Sequence, residues 1–170
     1  MANLLSEQYA GTQDSHVDIA SYISGYVDGE GCFTVSISPR ASMRLGWEVR
    51  PSCSVGQNGD RSEVLFEIQQ FFGCGTIRPD RSDRTLKWEV RNLSLLVNTV
   101  IPHFRRYPLR SSKHRDFELF AEICERLERR EHLTPVGFRV VASLAERMNP
   151  SGKRRYFPSA NGPGSLEVKA

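Results

Sequence analysis

Hydrophobic residues follow two different spacings along this chain, and the alternation between them predicts the order of helices and strands. Apolar residues recur at helical intervals and form one stripe, which predicts a first helix with Ile19, Tyr22, Ile23, Tyr26 and Val27 on its buried side. Its expected N-cap is Asp14 or Ser15. From Cys32 the period becomes two, which is typical of a strand with one buried face. The chain is therefore expected to pass directly from helix into strand.

The same two spacings continue and predict the remaining elements. The expected strands are residues 32–38, 47–55, 74–79 and 85–91. The later helices are expected to begin at Asp60, Asn92, Ser112 and Thr134. This order predicts an α+β fold with an αββαββα-type core. A four-stranded antiparallel sheet would pack one face on helices and leave the other face exposed.

The length of 170 residues suits a single domain with one sizeable core. Residues 1–13 lack periodicity and are expected to be a loose lead-in, and the domain is expected to span residues 14–155. Residues 156–170 are rich in Pro, Gly and Ser, which predicts a flexible tail.

Composition adds limits on partners and compartment. The net charge is only +3, but 19 of the 23 cationic residues are Arg, whose fork suits guanine edges and phosphates. A GC-rich gene would also raise the Arg content, so both explanations stay open. The four cysteines have no zinc spacing, and the chain shows no signal peptide or membrane-length apolar run. These features predict an intracellular, reduced protein with no membrane partner. The histidines have no ligand spacing and are interpreted as structural: His16, His103, His114 and His132.

The end of the first predicted helix carries the most informative segment. Residues 23–31 read Ile-Ser-Gly-Tyr-Val-Asp-Gly-Glu-Gly, so two acids flanked by glycines stand at the helix terminus. The helix also has a face of small residues that would allow a second helix to approach closely. This small face consists of Ser21, Ser24, Gly25, Asp28 and Gly29.

This segment resembles the signature of the LAGLIDADG homing endonucleases, with Ile for the first Leu, Ser for Ala and Glu for the second Asp. The resemblance extends to the element order from about residue 15 to about residue 155. It implies that the small face is an interface between domains or subunits. It also implies that the eighth motif position, Glu30, binds a catalytic metal ion.

The expected metal ion is magnesium, held by Glu30, Gly29 and Asp28. Carboxylates supply the hard oxygen ligands that magnesium prefers, but two acids alone hold the ion weakly. A second copy of the site, or phosphate oxygens, would complete the coordination. Without its context, Asp-Gly-Glu-Gly would be interpreted as a solvated turn. The preceding helix, its small face and the following strand favour the metal site.

Three further residues are expected beside the metal because of the resemblance. Gln57 and Arg61 follow the second strand and would order water and stabilise charge. Lys113, in the segment Pro-Leu-Arg-Ser-Ser-Lys, would contact the transition state or leaving group. Ser112 stands where some family members have the first of two lysines. A turn residue for Gln57, and surface charges for Arg61 and Lys113, are the alternative interpretations.

The exposed face of the predicted sheet is expected to read double-stranded DNA in the major groove. Glu48 and Glu89 on this face are interpreted as ordinary solvated residues. Three adjacent cations near the end of the chain are expected to hold phosphates. The expected DNA-binding residues are Ser36, Ser38, Arg40, Ser42, Arg50, Ser52, Ser54, Arg78, Asp80, Arg81, Arg84, Thr85, Lys87, Lys153, Arg154 and Arg155.

A single motif copy implies a homodimer, because single-motif members of the family place two motif helices together across the DNA. The function implied is a site-specific homing endonuclease that makes double-strand breaks in a roughly palindromic target, without a small-molecule cofactor. Two alternatives stay open on the same scaffold. One is an RNA maturase that helps its host intron splice, and the other is a DNA-binding regulator that does not cleave.

Overall fold

The computed structural model describes residues 18–80 and 85–149. Several expectations lie outside these residues and are not tested by it. They concern the lead-in 1–13, the tail 156–170, His16, and the cations Arg81, Arg84, Lys153, Arg154 and Arg155.

The first helix, α1, spans Ile19–Glu30. Its N-cap is Asp18, whose carboxylate accepts a hydrogen bond from the Ala20 backbone N–H at 3.1 Å, so the expected caps at residues 14 and 15 are wrong. The buried face also differs from the expected stripe, because Ile19 and Tyr22 are exposed. The residues that α1 buries are Ala20, Ile23, Ser24 and Val27.

Four strands follow the predicted order and form one antiparallel sheet, which confirms the predicted fold class. They are β1 (Gly31–Pro39), β2 (Trp47–Asn58), β3 (Thr76–Pro79) and β4 (Thr85–Val90), arranged β1-β2-β4-β3. Strand β2 continues beyond its expected end at residue 55. The longer strand carries the chain to Asn58, beside the end of α1.

The segment after β2 also differs from the expectation. Asp60 lies in a short 3-10 helix, Gly59–Arg61, and does not cap the next helix. Helix α2 spans Glu63–Phe72 and ends at Gly73, whose φ of 61° is the left-handed conformation that glycine adopts most readily.

A longer helical run comes after β4 and begins at Asn92, whose side chain accepts a hydrogen bond from the Leu95 backbone N–H, as the sequence predicts. The run consists of α3 (Leu93–Leu95), a π-helical segment (Leu96–Val100) and α4 (Ile101–Arg106). Two more helices complete the described chain, α5 (Lys113–Glu128) and α6 (Pro135–Glu146). The expected cap of α6, Thr134, accepts from the Gly137 backbone N–H.

The core lies between the helices and one face of the sheet. In β1, buried Phe33 alternates with exposed neighbours, and its ring contacts those of Phe104, Phe117 and Phe120 at centroid distances of 5.3–5.6 Å. Trp88 of β4 is fully buried and stacks on Phe72, whose ring in turn lies near that of Phe104. This aromatic layer fixes α4 and α5 against the sheet and leaves the opposite sheet face open. Over the residues described, every helix is too short or too polar to traverse a lipid bilayer.

Candidate active site

Glu30 is the last residue of α1 and its side chain is exposed. The chain enters β1 at the next residue, Gly31, where an added Cβ would lie 2.6 Å from the Val27 carbonyl oxygen. Glycine is therefore required at this position. Within the described residues, no hydrogen bond or ion pair engages the Glu30 carboxylate. Glu30 thus presents an uncommitted carboxylate at a rigid helix-to-strand junction.

Asp28 lies on the same helix turn but is engaged within the chain. Its Oδ2 accepts hydrogen bonds from the backbone N–H groups of Arg110 and Ser111, both at 2.9 Å, and its Oδ1 accepts from the Ser111 hydroxyl. Partial burial raises the pKa of Asp28, but these hydrogen bonds outweigh it and hold the pKa below its ordinary value. Asp28 therefore anchors the segment that leads into α5. These contacts argue against the predicted role of Asp28 as a metal ligand.

Lys113 is the first residue of α5, and its side chain reaches the end of α1. Its Nζ donates to the carbonyl oxygens of Val27 at 2.9 Å and Gly29 at 3.1 Å. The carbonyl groups at a helix C-terminus carry partial negative charge, so an ammonium group is favourable there. The structure therefore brings Lys113 and Glu30 to one location. The same contact occupies the Gly29 carbonyl that was a candidate metal ligand.

Gln57 reaches this location from the sheet. Gly31 of β1 pairs with Val55 of β2, which places Gln57 two residues further along β2, at the end of the sheet where Glu30 lies. The Gln57 side-chain amide donates to the Tyr26 hydroxyl on α1, and its oxygen accepts from the Asn58 backbone N–H at 2.8 Å. The side chain is thereby held in one orientation beside the motif helix.

Arg61 follows in the exposed 3-10 helix after β2. Among the described contacts, none joins Arg61 or Gln57 directly to Glu30. The topology therefore places both residues at the same end of the sheet without a direct contact to the carboxylate. Their predicted catalytic roles stay predictions.

Lys87 and Arg78 lie in one row across this end of the sheet. Gly56 of β2 pairs with Lys87 of β4, which pairs with Arg78 of β3. Gly56 has no side chain, and a Cβ there would have only the Leu86 carbonyl oxygen within 4 Å, at 3.9 Å. The sheet surface between Glu30 and Lys87 is therefore low and open to a large partner.

Away from this row, the open face is less exposed than the sequence suggests. Ser36 is exposed, but Ser52 and Ser54 are 8% and 2% exposed. The expectation that these two serines are accessible on the surface is wrong for the free chain. The Ser52 hydroxyl donates to Glu89 at 2.8 Å.

The acidic residues of this face also correct the expectation of solvated groups. Glu89 is 6% exposed and forms ion pairs with Arg78 at 2.8 Å and Arg91 at 3.1 Å. Glu48 forms ion pairs with Arg40 and Arg50. Sequence alternation places these carboxylates on the outer face. It gives no indication that each carboxylate forms ion pairs with two arginines.

The residues of the small face of α1 differ in their exposure. Gly25 and Gly29 are exposed, and a Cβ at either position would have no atom within 4 Å. Ser24 instead points into the chain, where its hydroxyl donates to the Tyr107 carbonyl at 2.7 Å and lies 3.1 Å from His103 Nε2. These contacts argue against the predicted place of Ser24 on an intermolecular face. Ser21 is exposed and donates to Asp18.

His103 is a structural residue, as the sequence analysis interprets it. It is 8% exposed, and its ring packs against those of Phe72, Phe104 and Tyr107. Burial lowers the pKa of His103 to about 4, although the nearby charge of Asp18 acts in the opposite direction. The imidazole is therefore neutral at physiological pH. No pattern in the sequence indicates that His103 contacts the motif helix.

A metal ion at this site would find few ligands in one chain. Among the described residues, no group of three or more His, Cys, Asp and Glu side chains could hold an ion. Glu30 supplies one unengaged carboxylate, a hard oxygen ligand of the kind that divalent cations such as magnesium prefer. A carboxylate is the right type of ligand for such an ion. One carboxylate, however, leaves most of the ion's coordination to be supplied by other molecules.

Comparison with known proteins agrees with the geometry of this site. The family model described as LAGLIDADG endonuclease matches residues 23–124, from the motif helix into α5. The homing endonuclease I-ApeII of Aeropyrum pernix is 33% identical over 115 residues, which cover 67% of each protein. The chain spans about a quarter of the length of the first curated relatives it matches, which are a protein in ND4 intron 1 of Podospora anserina and two probable intron-encoded endonucleases of Neurospora crassa.

Solved structures share the architecture. The crystal structure of the homing endonuclease I-TnaI has a TM-score of 0.73 and 35% identity, covering 76% of this chain and 87% of that one. I-SmaMI bound to an uncleaved DNA target in the presence of calcium ions has a TM-score of 0.74 and 25% identity, covering 84% of this chain and 52% of that one. The motif, the sheet and the match over most of the domain lead to one conclusion: the chain belongs to the LAGLIDADG endonuclease family.

Proposed function

We propose that this protein is a site-specific homing endonuclease that makes double-strand breaks in DNA by metal-dependent phosphodiester hydrolysis. The observation that supports this function best is the unengaged Glu30 carboxylate, which lies at a rigid helix terminus beside the Lys113 ammonium group. The relatives are named as homing or intron-encoded endonucleases, and one neighbour was solved with a DNA target and calcium ions. A divalent cation, with magnesium as the physiological ion, is part of the proposal.

Glu30 would bind the cation together with oxygens of the scissile phosphate. When bound, the cation would polarise the phosphate and lower the pKa of a water molecule. Gln57, fixed by Tyr26, would orient the attacking water. Lys113 and Arg61 would stabilise the negative charge that develops on the phosphate in the transition state. Lys113 is already held at the end of α1, so its charge is preorganised.

The proposed active form is a homodimer in which two α1 helices pack through their exposed small faces. Gly25 and Gly29 have open space where side chains would project, which leaves room for a partner backbone. A groove beside them is lined by Ser21, Ser24, Asp28 and the segment 106–110. Two copies related by a twofold axis would place two Glu30 residues near each other. Each would face one strand of a roughly palindromic target.

The proposed DNA surface is the open face of the sheet. Lys87 and Arg78 lie at the end nearest Glu30, and Arg40 and Arg50 lie towards the opposite end. Ribbons of this kind can enter the major groove and present alternate side chains to base edges. The protein would act in whichever compartment holds its target DNA, consistent with the intron-encoded relatives.

Selection of cleaved duplexes from a randomised DNA library in magnesium tests this function directly. We expect enrichment of one extended, roughly palindromic site and no cleavage when magnesium is replaced by EDTA. If no library sequence were cleaved, or if all sequences were cleaved equally, site-specific cleavage would be contradicted. Binding to structured intron RNA in place of duplex DNA would favour a maturase.

A further inference from the structure

Glu89 combines deep burial with three polar partners on the open face of the sheet. Its Oε1 accepts a hydrogen bond from the Ser52 hydroxyl at 2.8 Å. Its Oε2 accepts from Arg78 at 2.8 Å and forms an ion pair with Arg91 at 3.1 Å. Both carboxylate oxygens are therefore used, and two cations from neighbouring segments meet at one anion. We name this group the Glu89 clamp.

A second group of the same kind lies on the first hairpin. Glu48 is 14% exposed and forms ion pairs with Arg40, through Oε1, and with Arg50, through Oε2 at 3.2 Å. Arg40 also donates through Nε to the Ser42 hydroxyl at 3.2 Å. We name this group the Glu48 clamp. Each clamp thus fixes two arginines with a single carboxylate.

The clamped arginines remain accessible to a ligand. The side chains of Arg78 and Arg91 are 43% and 59% exposed, whereas that of Glu89 is only 6% exposed. A guanidinium group presents five N–H donors, and the contact of Arg78 with Glu89 uses one nitrogen. Each arginine therefore keeps donors that could reach a base edge.

The charge of Glu89 is maintained despite its burial. Burial raises the pKa of Glu89, but hydrogen bonds from Arg78, Ser52 and Arg91 outweigh this effect and leave the pKa below its ordinary value. An ionised carboxylate beside two guanidinium groups reduces their combined positive charge. Such a pair attracts phosphates less strongly than two free arginines would.

We propose that Glu89 and Glu48 are specificity-determining positioning residues, which orient arginines for base recognition and reduce their binding to DNA of any sequence. This inference rests on the proposed recognition of DNA by the open face. An arginine held by a second group loses less conformational freedom when it forms a fork with guanine. The carboxylate would thus improve discrimination at the expense of non-specific affinity.

The two clamps act on different parts of the target. Glu89 pairs with Ser54 of β2, whereas Glu48 belongs to β2 itself and pairs with Ser38 of β1. Residues 48 and 54 are separated by roughly 20 Å along the strand, since a strand rises about 3.3 Å per residue. This separation corresponds to about six base pairs of DNA at about 3.4 Å each. The Glu89 clamp lies nearer Glu30 and would act on bases closer to the cleavage positions.

The variant Glu89→Gln tests the inference, because glutamine keeps the shape and one acceptor oxygen but removes the charge. The matched control is Glu128→Gln, which removes an equal charge from an exposed position at the end of α5. Both are compared with the parent protein in two measurements. One is a base-resolved profile of duplexes selected from a randomised library, and the other is the salt dependence of binding to an unrelated duplex.

We expect Glu89→Gln to flatten base preference by about tenfold at the positions that Arg78 reads, which is the scale of one bidentate contact. Binding to the unrelated duplex should become tighter, with a salt slope steeper by about 0.9 for each arginine that gains a phosphate. In an Arg78→Ala background, Glu89→Gln should no longer alter the base profile at those positions. Glu128→Gln should change neither measurement.

Glu48→Gln provides a second variant if Glu89→Gln folds poorly, since Glu48 is more exposed. It should flatten preference about six base pairs further from the cleavage positions, by the strand spacing given above. Base profiles and salt slopes for both variants that match the parent would overturn the inference. A parent protein that shows no base preference at all would instead overturn the proposed function.

Discussion

The two faces of α1 differ in the contacts that they make within one chain. On the inner face, Ser24 and Asp28 contact His103, Tyr107 and the segment 110–111. On the outer face, a Cβ on Gly25 or Gly29 would meet no atom. The inner face therefore stabilises the fold of the single chain. The outer face, with the Glu30 carboxylate at its end, makes no such contacts among the described residues, and it is the face proposed above for a partner helix. Substitutions on the two faces should consequently affect different measurements.

The largest effect is expected for Glu30→Gln. Glutamine cannot supply the anionic ligand that the divalent cation requires, so cleavage of the selected target should fall below detection. Binding to that target should remain within about tenfold, because phosphate and base contacts are retained. Cleavage is measured on a supercoiled plasmid that carries the site, and binding is measured in calcium.

The free energy of unfolding should be the same for Glu30→Gln and the parent, since no described contact engages the Glu30 carboxylate. Glu63→Gln, at an exposed position in the first turn of α2, serves as the matched control and should cleave normally. Cleavage by Glu30→Gln at the parent rate would exclude Glu30 as the metal ligand.

The buried His103, which contacts the inner face of α1, should make the free energy of unfolding depend on pH. Burial lowers the pKa of His103 to about 4, below its ordinary value of 6.5, so the folded protein disfavours the charged imidazole. The stabilisation is therefore complete above about pH 6.5 and is lost as the pH falls towards 4. The full effect is about 3 kcal/mol in the free energy of unfolding. Urea denaturation at several pH values measures it.

The variant His103→Gln should show a weaker pH dependence than the parent over this range. His114→Gln removes an exposed histidine and should leave the dependence unchanged. Equal unfolding free energies for the parent at pH 7 and pH 4.5 would contradict a neutral buried His103.

On the outer face, Gly25→Leu should weaken the dimer without destabilising the monomer. A leucine side chain would occupy the space proposed for the partner helix, and overpacking a tight contact costs about 1–3 kcal/mol. Analytical ultracentrifugation should show a dimer for the parent and a dissociation constant raised about tenfold or more for the variant. Ser143→Leu, which adds the same side chain to an exposed position of α6, is the control.

A parent protein that sediments as a monomer at micromolar concentration and binds DNA as one chain per site would refute the homodimer. A Gly25→Leu variant with a large loss of unfolding free energy would show a contact within the chain at this position.

The smallest effect is expected for Asp28→Asn. The asparagine amide group cannot accept all the hydrogen bonds that the carboxylate receives from Arg110 and Ser111, so unfolding should become easier by about 1 kcal/mol. Cleavage should stay within about tenfold of the parent, as expected for a structural acid. If Asp28→Asn abolished cleavage and left the free energy of unfolding unchanged, Asp28 would instead be a metal ligand.

Local patterns were sufficient to predict the fold. The change from helical to alternating spacing at Cys32 predicts the junction of α1 and β1, and cap residues predict the starts of α3 and α6. Two boundaries failed for different reasons. Helix α1 begins at Ile19, where the local contact of Asp18 with the Ala20 N–H caps it, whereas β2 extends to Asn58 because β4, distant in sequence, pairs with its last residues.

The candidate site was predictable only as a set of residues. The motif indicates Glu30, but the sequence alone does not show that Glu30 and Asp28 lie in different environments. Asp28 is engaged because a loop more than eighty residues later supplies its donors. The same reason explains the burial of Glu89, whose partners come from three different segments. Contacts of this kind depend on strand pairing and on side-chain length, which periodicity does not report.

The Glu89 clamp has a consequence for attempts to redirect this protein to new DNA sequences. A library that varies Arg78 alone would leave the buried Glu89 carboxylate with one of its two arginines, and breaking a buried ion pair is destabilising. Changes in base preference would then be accompanied by a loss of stability. Residues 52, 78, 89 and 91 should therefore be randomised together, because their contacts depend on one another. In natural relatives that recognise other DNA targets, we expect these four residues to differ together.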